Sequence, residues 1–155
     1  DQFKNRLLFS KKMGATHCIL FKKNFEDLRK KILKALNNND LDYFIDTTGN
    51  KKVIEFGLKI VNSKNGKVVL VGVQKKNEKV SFNTLQLLLG KKIIGTHGGN
   101  TKPHKDILKI SNQFKKNRIN INNFYSKVYT LDKINTAISD IKKGKLDGRC
   151  LIKMT

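Results

Sequence analysis

Two kinds of apolar pattern alternate along this chain. In one, apolar residues recur every three or four positions, as one buried face of a helix requires. The other is a short uninterrupted apolar run of strand length. The stretch FKNRLLFSKKMG sets Phe3, Leu7, Leu8 and Met13 near one helical face and stops at Gly14, a residue suited to the left-handed end of a helix. THCILF, residues 16–21, reads as a strand. NFEDLRKKILKAL opens on Asn24 as N-cap and lines up Phe25, Leu28, Ile32 and Leu36. LDYFIDTTG then predicts a strand and a turn, and NKKVIEFGLKIVN a helix. GKVVLVGV, residues 66–73, holds an uninterrupted apolar run after Lys67, as a strand covered on both faces would. SFNTLQLLLGKK predicts a short helix and KKIIGTHG another strand. PHKDILKISNQFKKN begins a helix on Pro103, where the missing N–H costs nothing. TLDKINTAISDIKKGK predicts a helix from Thr130 as N-cap to Gly144 as stop, and GRCLIKM a final strand.

Strands alternating with helices imply βαβ units and an α/β fold built on a parallel sheet. The connections are short, with no Gly/Ser linker, low-complexity tract or repeat. Open parallel sheets bind ligands at the carboxyl ends of their strands. That rule selects Thr47, Thr48 and Gly49, then Gly72 and Val73, then Thr96, His97 and Gly98. Small residues there let a flat ligand approach the backbone. They equally serve tight strand-to-helix turns, and spacing alone leaves both open.

Charge adds a second possibility. The 155 residues hold 33 Lys and Arg against 12 Asp and Glu, a formal net charge of +21. Such a balance raises the question of nucleic acid or an anionic surface. The lysines are spread over every segment, however, and few aromatics interleave with them as a stacking platform would need. A solvated basic surface is the simpler reading. The acidic residues sit mostly in helices with a base three or four positions away, as in FEDLRKK and SDIKKGK, which predicts surface pairs. Cys18 and Cys150 match no metal or redox spacing and lie in apolar runs, so buried inert thiols in a reducing, cytoplasmic compartment are expected. No apolar run approaches the length needed to span a membrane, and no secretory signal is visible. The chain opens on Asp1 directly before a helical pattern, as a trimmed chain or a fragment would.

Several motifs are missing: G-x-G-x-x-G, G-x-x-x-x-G-K-[ST], a serine nucleophile elbow and a paired-carboxylate site. The chain therefore carries no strong phosphate loop of its own.

The stretches MGATH, DYFIDTTGN, GKVVLVGV, LLLGKKIIGTHGG and YTLDKINTAISDIKKGKLDGRCLIKM together resemble the zinc-dependent medium-chain alcohol dehydrogenase family. Order and spacing are kept along almost the whole chain. It resembles the later half of such enzymes: most of a Rossmann-like cofactor domain, then the return into the catalytic domain. The resemblance implies a Rossmann-like parallel sheet with helices on both faces, lacking its first strand and glycine-fingerprint helix. It implies two regions, 1–97 from the dinucleotide-binding domain and 98–155 from the catalytic domain.

The cofactor implied is NAD. Asp1 matches the acid that binds the adenosine ribose hydroxyls, and a carboxylate there disfavours NADP. Arg6 falls near the same ribose. Thr47 and Gly49, with Thr48 between them, match the turn beside the adenosine side. Val71, Gly72 and Val73 match the segment passing the nicotinamide, with His97 near its carboxamide. Arg149 matches an arginine that reaches the pyrophosphate.

The family's catalytic zinc ligands belong to the part not present here, and neither cysteine matches one. The resemblance thus implies a fragment of a hydride-transferring dehydrogenase acting on an alcohol, polyol or sugar-derived substrate, inactive by itself, with zinc held outside this chain. It implies no specific nucleic-acid partner and no membrane. The strand KKIIGT matches an edge that pairs with its twin, so a homodimer or homotetramer is expected. A zinc-free medium-chain reductase and a basic α/β nucleic-acid-binding module remain the alternatives.

Overall fold

The computed structural model describes residues 1–116 and 124–154. By their contacts the residues form two compact units, Phe25–Lys102 and Asp1–Asn24 with Pro103–Thr155.

The Phe25–Lys102 unit is a parallel sheet with helices. Helix α1 (Lys4–Lys12) belongs to the other unit; here the elements are α2 (Phe25–Ala35), β1 (Tyr43–Asp46), α3 (Lys51–Ile60), β2 (Lys67–Leu70), α4 (Leu85–Leu88) and β3 (Lys92–Gly95). The strands lie in the order β1-β2-β3 and all run parallel, as crossovers through α3 and α4 demand. Helix α3 forms because Asn50 caps it: its side-chain oxygen accepts from the Lys52 and Val53 N–H groups. Its apolar face then drives onto the sheet. Ile54, Leu58 and Val61 pack with Val68 of β2, which is fully buried, and Leu41, Phe44, Leu70 and Ile93 surround them. Burying such side chains contributes about 1.5–3 kcal/mol each. Phe56 bridges to α2 through Phe25, ring centroids 5.1 Å apart. On the other face of β1, Tyr43 and Ile45 are exposed.

Lys91, 7% exposed, enters β3 with its ammonium donating to the Leu58 carbonyl at 2.7 Å. A cation at the end of α3 suits the helix dipole. Burial nevertheless pushes this lysine's pKa below its ordinary value.

The second unit holds α1, α5 (Pro103–Lys115), β4 (Tyr125–Thr130), α6 (Ile134–Lys142) and β5 (Arg149–Lys153), with β4 and β5 paired in parallel. A 3-10 turn, Leu131–Lys133, leads into α6, and the Thr130 side chain makes no capping bond to it. Both α1 and α6 end in the left-handed turn the sequence predicts. Gly14 (φ +100°) donates to Lys11 while Ala15 donates to Ser10; Gly144 (φ +67°) donates to Ile141 while Lys145 donates to Asp140. Tyr129, Ala137 and Leu146 form the core, with Cys150 and Ile152 against it. Asn5 of α1 reaches the Gly144 carbonyl at 3.1 Å.

Several expectations need correction. Residues 16–21 form no assigned strand; Phe21 donates to the Asp1 carbonyl, and the Asp1 amine donates to Ile19. That is a single rung of parallel type. Cys18 in this segment is exposed rather than buried, its thiol donating to Leu7; Cys150 is half-buried. Strand β2 ends at Leu70, not Val73, because the Val71 and Gly72 N–H groups turn to the Asp46 carbonyl. The helix expected over 81–92 is only Leu85–Leu88. Asp140 is buried, not a surface partner: the Tyr129 hydroxyl donates to it at 2.8 Å, with Lys127 and Lys145 at 3.5 and 3.4 Å. The pairs in FEDLRKK do form, Arg29–Glu26 at 3.6 Å and Lys31–Asp27 at 2.7 Å. Helix α5 begins on Pro103 as expected, with His104 exposed; Asn117, the expected end of that helix, lies outside the described residues. Strand β4 was not anticipated from the sequence.

Candidate functional site

The carboxyl ends of β1 and β2 meet through one buried residue. Asp46, 1% exposed, is the last residue of β1. Its carboxylate forks: one oxygen accepts from the Thr48 N–H at 3.0 Å and the Thr48 hydroxyl at 2.6 Å, the other from the Gly49 N–H at 2.9 Å. Its main-chain carbonyl accepts from Val71 and Gly72, both at 2.9 Å. One residue thus fixes the turn after β1 and the turn after β2. A buried carboxylate is tolerated because it collects donors, each charge-assisted.

The two turns touch backbone to backbone. A Cβ at Gly72 would lie 2.2 Å from the Gly49 nitrogen and 2.6 Å from that of Thr48. A Cβ at Gly49 would lie 2.3 Å from the Val73 carbonyl oxygen, and its φ of +63° is left-handed. Both positions therefore require glycine. Around this contact Thr47 is exposed, and Val71 and Val73 are exposed at 50% and 94%. Thr96, just after β3, donates from both nitrogen and hydroxyl to the Leu70 carbonyl at 3.1 Å, tying the third strand end to the second. His97 follows and is exposed. Gln74 closes the β2 turn. Its Nε2 is the one buried side-chain polar atom among the described residues with no hydrogen-bond partner.

A second cluster lies in the other unit. Arg6 and Arg149 line one cleft of about 470 Å³ with Phe9, Leu146 and Asp147. Arg6 is held by its Nε donating to the Leu146 carbonyl at 3.4 Å and by its guanidinium standing 4.8 Å over the Phe3 ring. The Asp1 carboxylate accepts from the Phe3 N–H at 3.0 Å, at the entrance of α1.

The sequence-derived residues fall into two groups: Thr47, Gly49, Val71, Gly72, Val73 and His97 in one unit, Asp1, Arg6 and Arg149 in the other. Within the first, Gly49, Gly72 and Val73 are in direct register. Asp46 and Gln74 were missed. For Asp46 the signal was present, an aspartate two residues before a threonine and three before a glycine, the pattern of a side chain capping its own turn. Nothing in the sequence marks Gln74. Among the described residues no group of three or more His, Cys, Asp or Glu could hold a metal ion. No helix among them is long and apolar enough to cross a membrane.

The family described as zinc-binding dehydrogenase matches residues 1–115. Alcohol dehydrogenase 6 of Peromyscus maniculatus is 27% identical over 152 residues, 98% of this chain and 40% of that protein. Alcohol dehydrogenase 2 of Zea mays is 28% identical over 145 residues, 94% of this chain and 38% of that protein. The solved structure of benzyl alcohol dehydrogenase from Acinetobacter calcoaceticus superposes with a TM-score of 0.86 at 26% identity, covering all of this chain and 41% of the other. The chain therefore spans about 40% of the length of the relatives it matches.

Proposed function

This chain belongs to the zinc-binding dehydrogenase family, and on that premise we propose that it is the cofactor-holding portion of an NAD-dependent dehydrogenase acting on an alcohol, polyol or sugar-derived substrate. The observation that carries the reading is the pair of turns wired by Asp46. Two strand ends of a parallel sheet are held with their glycine backbones in contact, at the carboxyl edge where open parallel sheets bind their ligands. NAD supplies a nicotinamide that accepts or donates hydride; the chain's own residues bind and orient it. On this reading Val71, Gly72 and Val73 border the nicotinamide with His97 beside it, and Thr47 and Gly49 lie on the adenosine side. Asp1 and Arg6 hold the adenosine ribose, and Arg149 the pyrophosphate, as a guanidinium fork suits. Asp1 favours NAD over NADP, since a carboxylate repels a 2′-phosphate.

The zinc of the complete enzyme is read as held by residues outside this chain. We assign residues 1–97 to the dinucleotide-binding domain and 98–155 to the catalytic domain. The chain is further read as part of a cytoplasmic homodimer or homotetramer. Strand β3 is an edge of its sheet among the described residues, and Ile94 on it is 39% exposed, which supports pairing with a second copy. Alcohol-dependent reduction of NAD by the full-length protein, abolished by a chelator and restored by zinc, is the expected result. Reduction of quinones or enones that a chelator leaves intact would point instead to a zinc-free reductase.

A further inference from the structure

Gln74 presents an anomaly that the proposed cofactor reading explains. Buried polar groups in folded proteins almost always find a partner, and an orphaned donor is costly enough to demand a reason. Here the donor is the Nε2 of a side chain at the end of the β2 turn. Its location is specific. The Gln74 backbone nitrogen would lie 2.9 Å from a Cβ on Gly49, so this residue sits against the same contact between the turns after β1 and β2. Both turns are held by Asp46, which leaves the main chain under Gln74 little freedom. The residue as a whole is only half-buried, so its side chain is not enclosed on every side. Leaving that position gives up no hydrogen bond from Nε2. An acceptor arriving on a ligand therefore gains the full bond.

We propose that Gln74 is a cofactor-contacting residue whose side-chain amide donates to an oxygen on the nicotinamide-bearing half of NAD. This rests on the cofactor reading given above. It adds a side-chain donor beside the backbone and glycines of the two turns.

The test compares NADH with ADP-ribose, which lacks the nicotinamide, by calorimetric titration of the full-length protein. Gln74→Met keeps the length and removes the donor; Gln74→Glu keeps the shape and replaces donor with acceptor. Both variants are expected to bind NADH about tenfold more weakly, the scale of one well-made hydrogen bond, while ADP-ribose changes less than about twofold. Melting of the ligand-free Gln74→Met protein at or above the wild-type temperature is also expected, because no bond is lost on folding. Equal weakening of NADH and ADP-ribose, or no weakening of either, overturns the contact; the second outcome leaves the amide to an ordered water. Wild-type protein that binds neither ligand overturns the cofactor reading itself, and with it this contact.

Discussion

Asp46→Asn removes one charge and almost no volume, so its effect isolates the fork of hydrogen bonds. In the native turn one carboxylate oxygen serves Thr48 and the other serves Gly49. Asparagine has only one acceptor oxygen. If its oxygen faces Thr48, its NH2 points at the Gly49 N–H, and two buried donors lose their partners. If it is turned over, the Thr48 hydroxyl can rotate to accept, but the Thr48 N–H is orphaned. Each unsatisfied buried donor costs about 1–3 kcal/mol, so the first arrangement costs about 2–6 and the second about 1–3. The protein takes the cheaper one, and a loss of about 2 kcal/mol is expected. With a urea slope of about 2 kcal/mol/M the unfolding midpoint falls by about 1 M, measured by circular dichroism. Functionally the damage should exceed the stability loss, because the same atoms hold both turns of the crevice. NADH affinity of the folded variant is expected to fall at least about thirtyfold. A midpoint within about 0.25 M of wild type, with unchanged NADH affinity, would refute the view that Asp46 organises this site.

Gly72→Ala should be more severe than a surface change of that size, since the new methyl meets backbone rather than a mobile side chain. A loss of about 1–3 kcal/mol in urea unfolding, with weakened NADH binding, is expected. The Tyr129–Asp140 pair gives a pH test. The Tyr129 hydroxyl bond, chiefly, holds the Asp140 carboxyl below its ordinary value. A depressed carboxyl contributes stability that is present above its unfolded pKa of about 3.9 and is lost as pH falls through the folded value. In Tyr129→Phe the stability lost between neutral pH and pH 3 should therefore shrink; urea midpoints that stay parallel to wild type across that range would contradict the assignment. Ile94→Lys places a charge on the β3 edge and should shift the full-length protein toward monomer in light scattering, while an unchanged mass would remove that edge from the interface.

The order of helices and strands was legible because each carries its own signal. The face of α3 bearing Ile54 and Leu58 shows a helical period, and β2 is apolar from Val68 to Leu70. Elements whose stability comes from a neighbour were not. THCILF has the composition of a strand but pairs with Asp1 through Phe21 and Ile19 without forming an assigned strand, and Cys18 is exposed. Strand β4 was hidden because Tyr125–Thr130 mixes lysine, serine and tyrosine on both faces, and only Tyr129 is buried. Of the site, the glycines were readable as turns and as places of close approach. Which backbone they approach, and that Asp46 and not a threonine governs the loop, depends on β1 and β2 lying side by side. Periodicity cannot report that adjacency. Asp140 was misread for a related reason: Lys143, three positions on, suggests a surface pair, while the Tyr129 that bonds it comes from another element.

The central claim is that these strand ends hold NAD, and direct titration of the full-length protein with NADH tests it best. Saturable binding of one NADH per chain, weakened by Asp46→Asn and little affected by added salt, is the predicted result. No NADH binding, together with tight DNA binding that falls steeply with salt, would contradict the account and return the +21 charge to the centre of it.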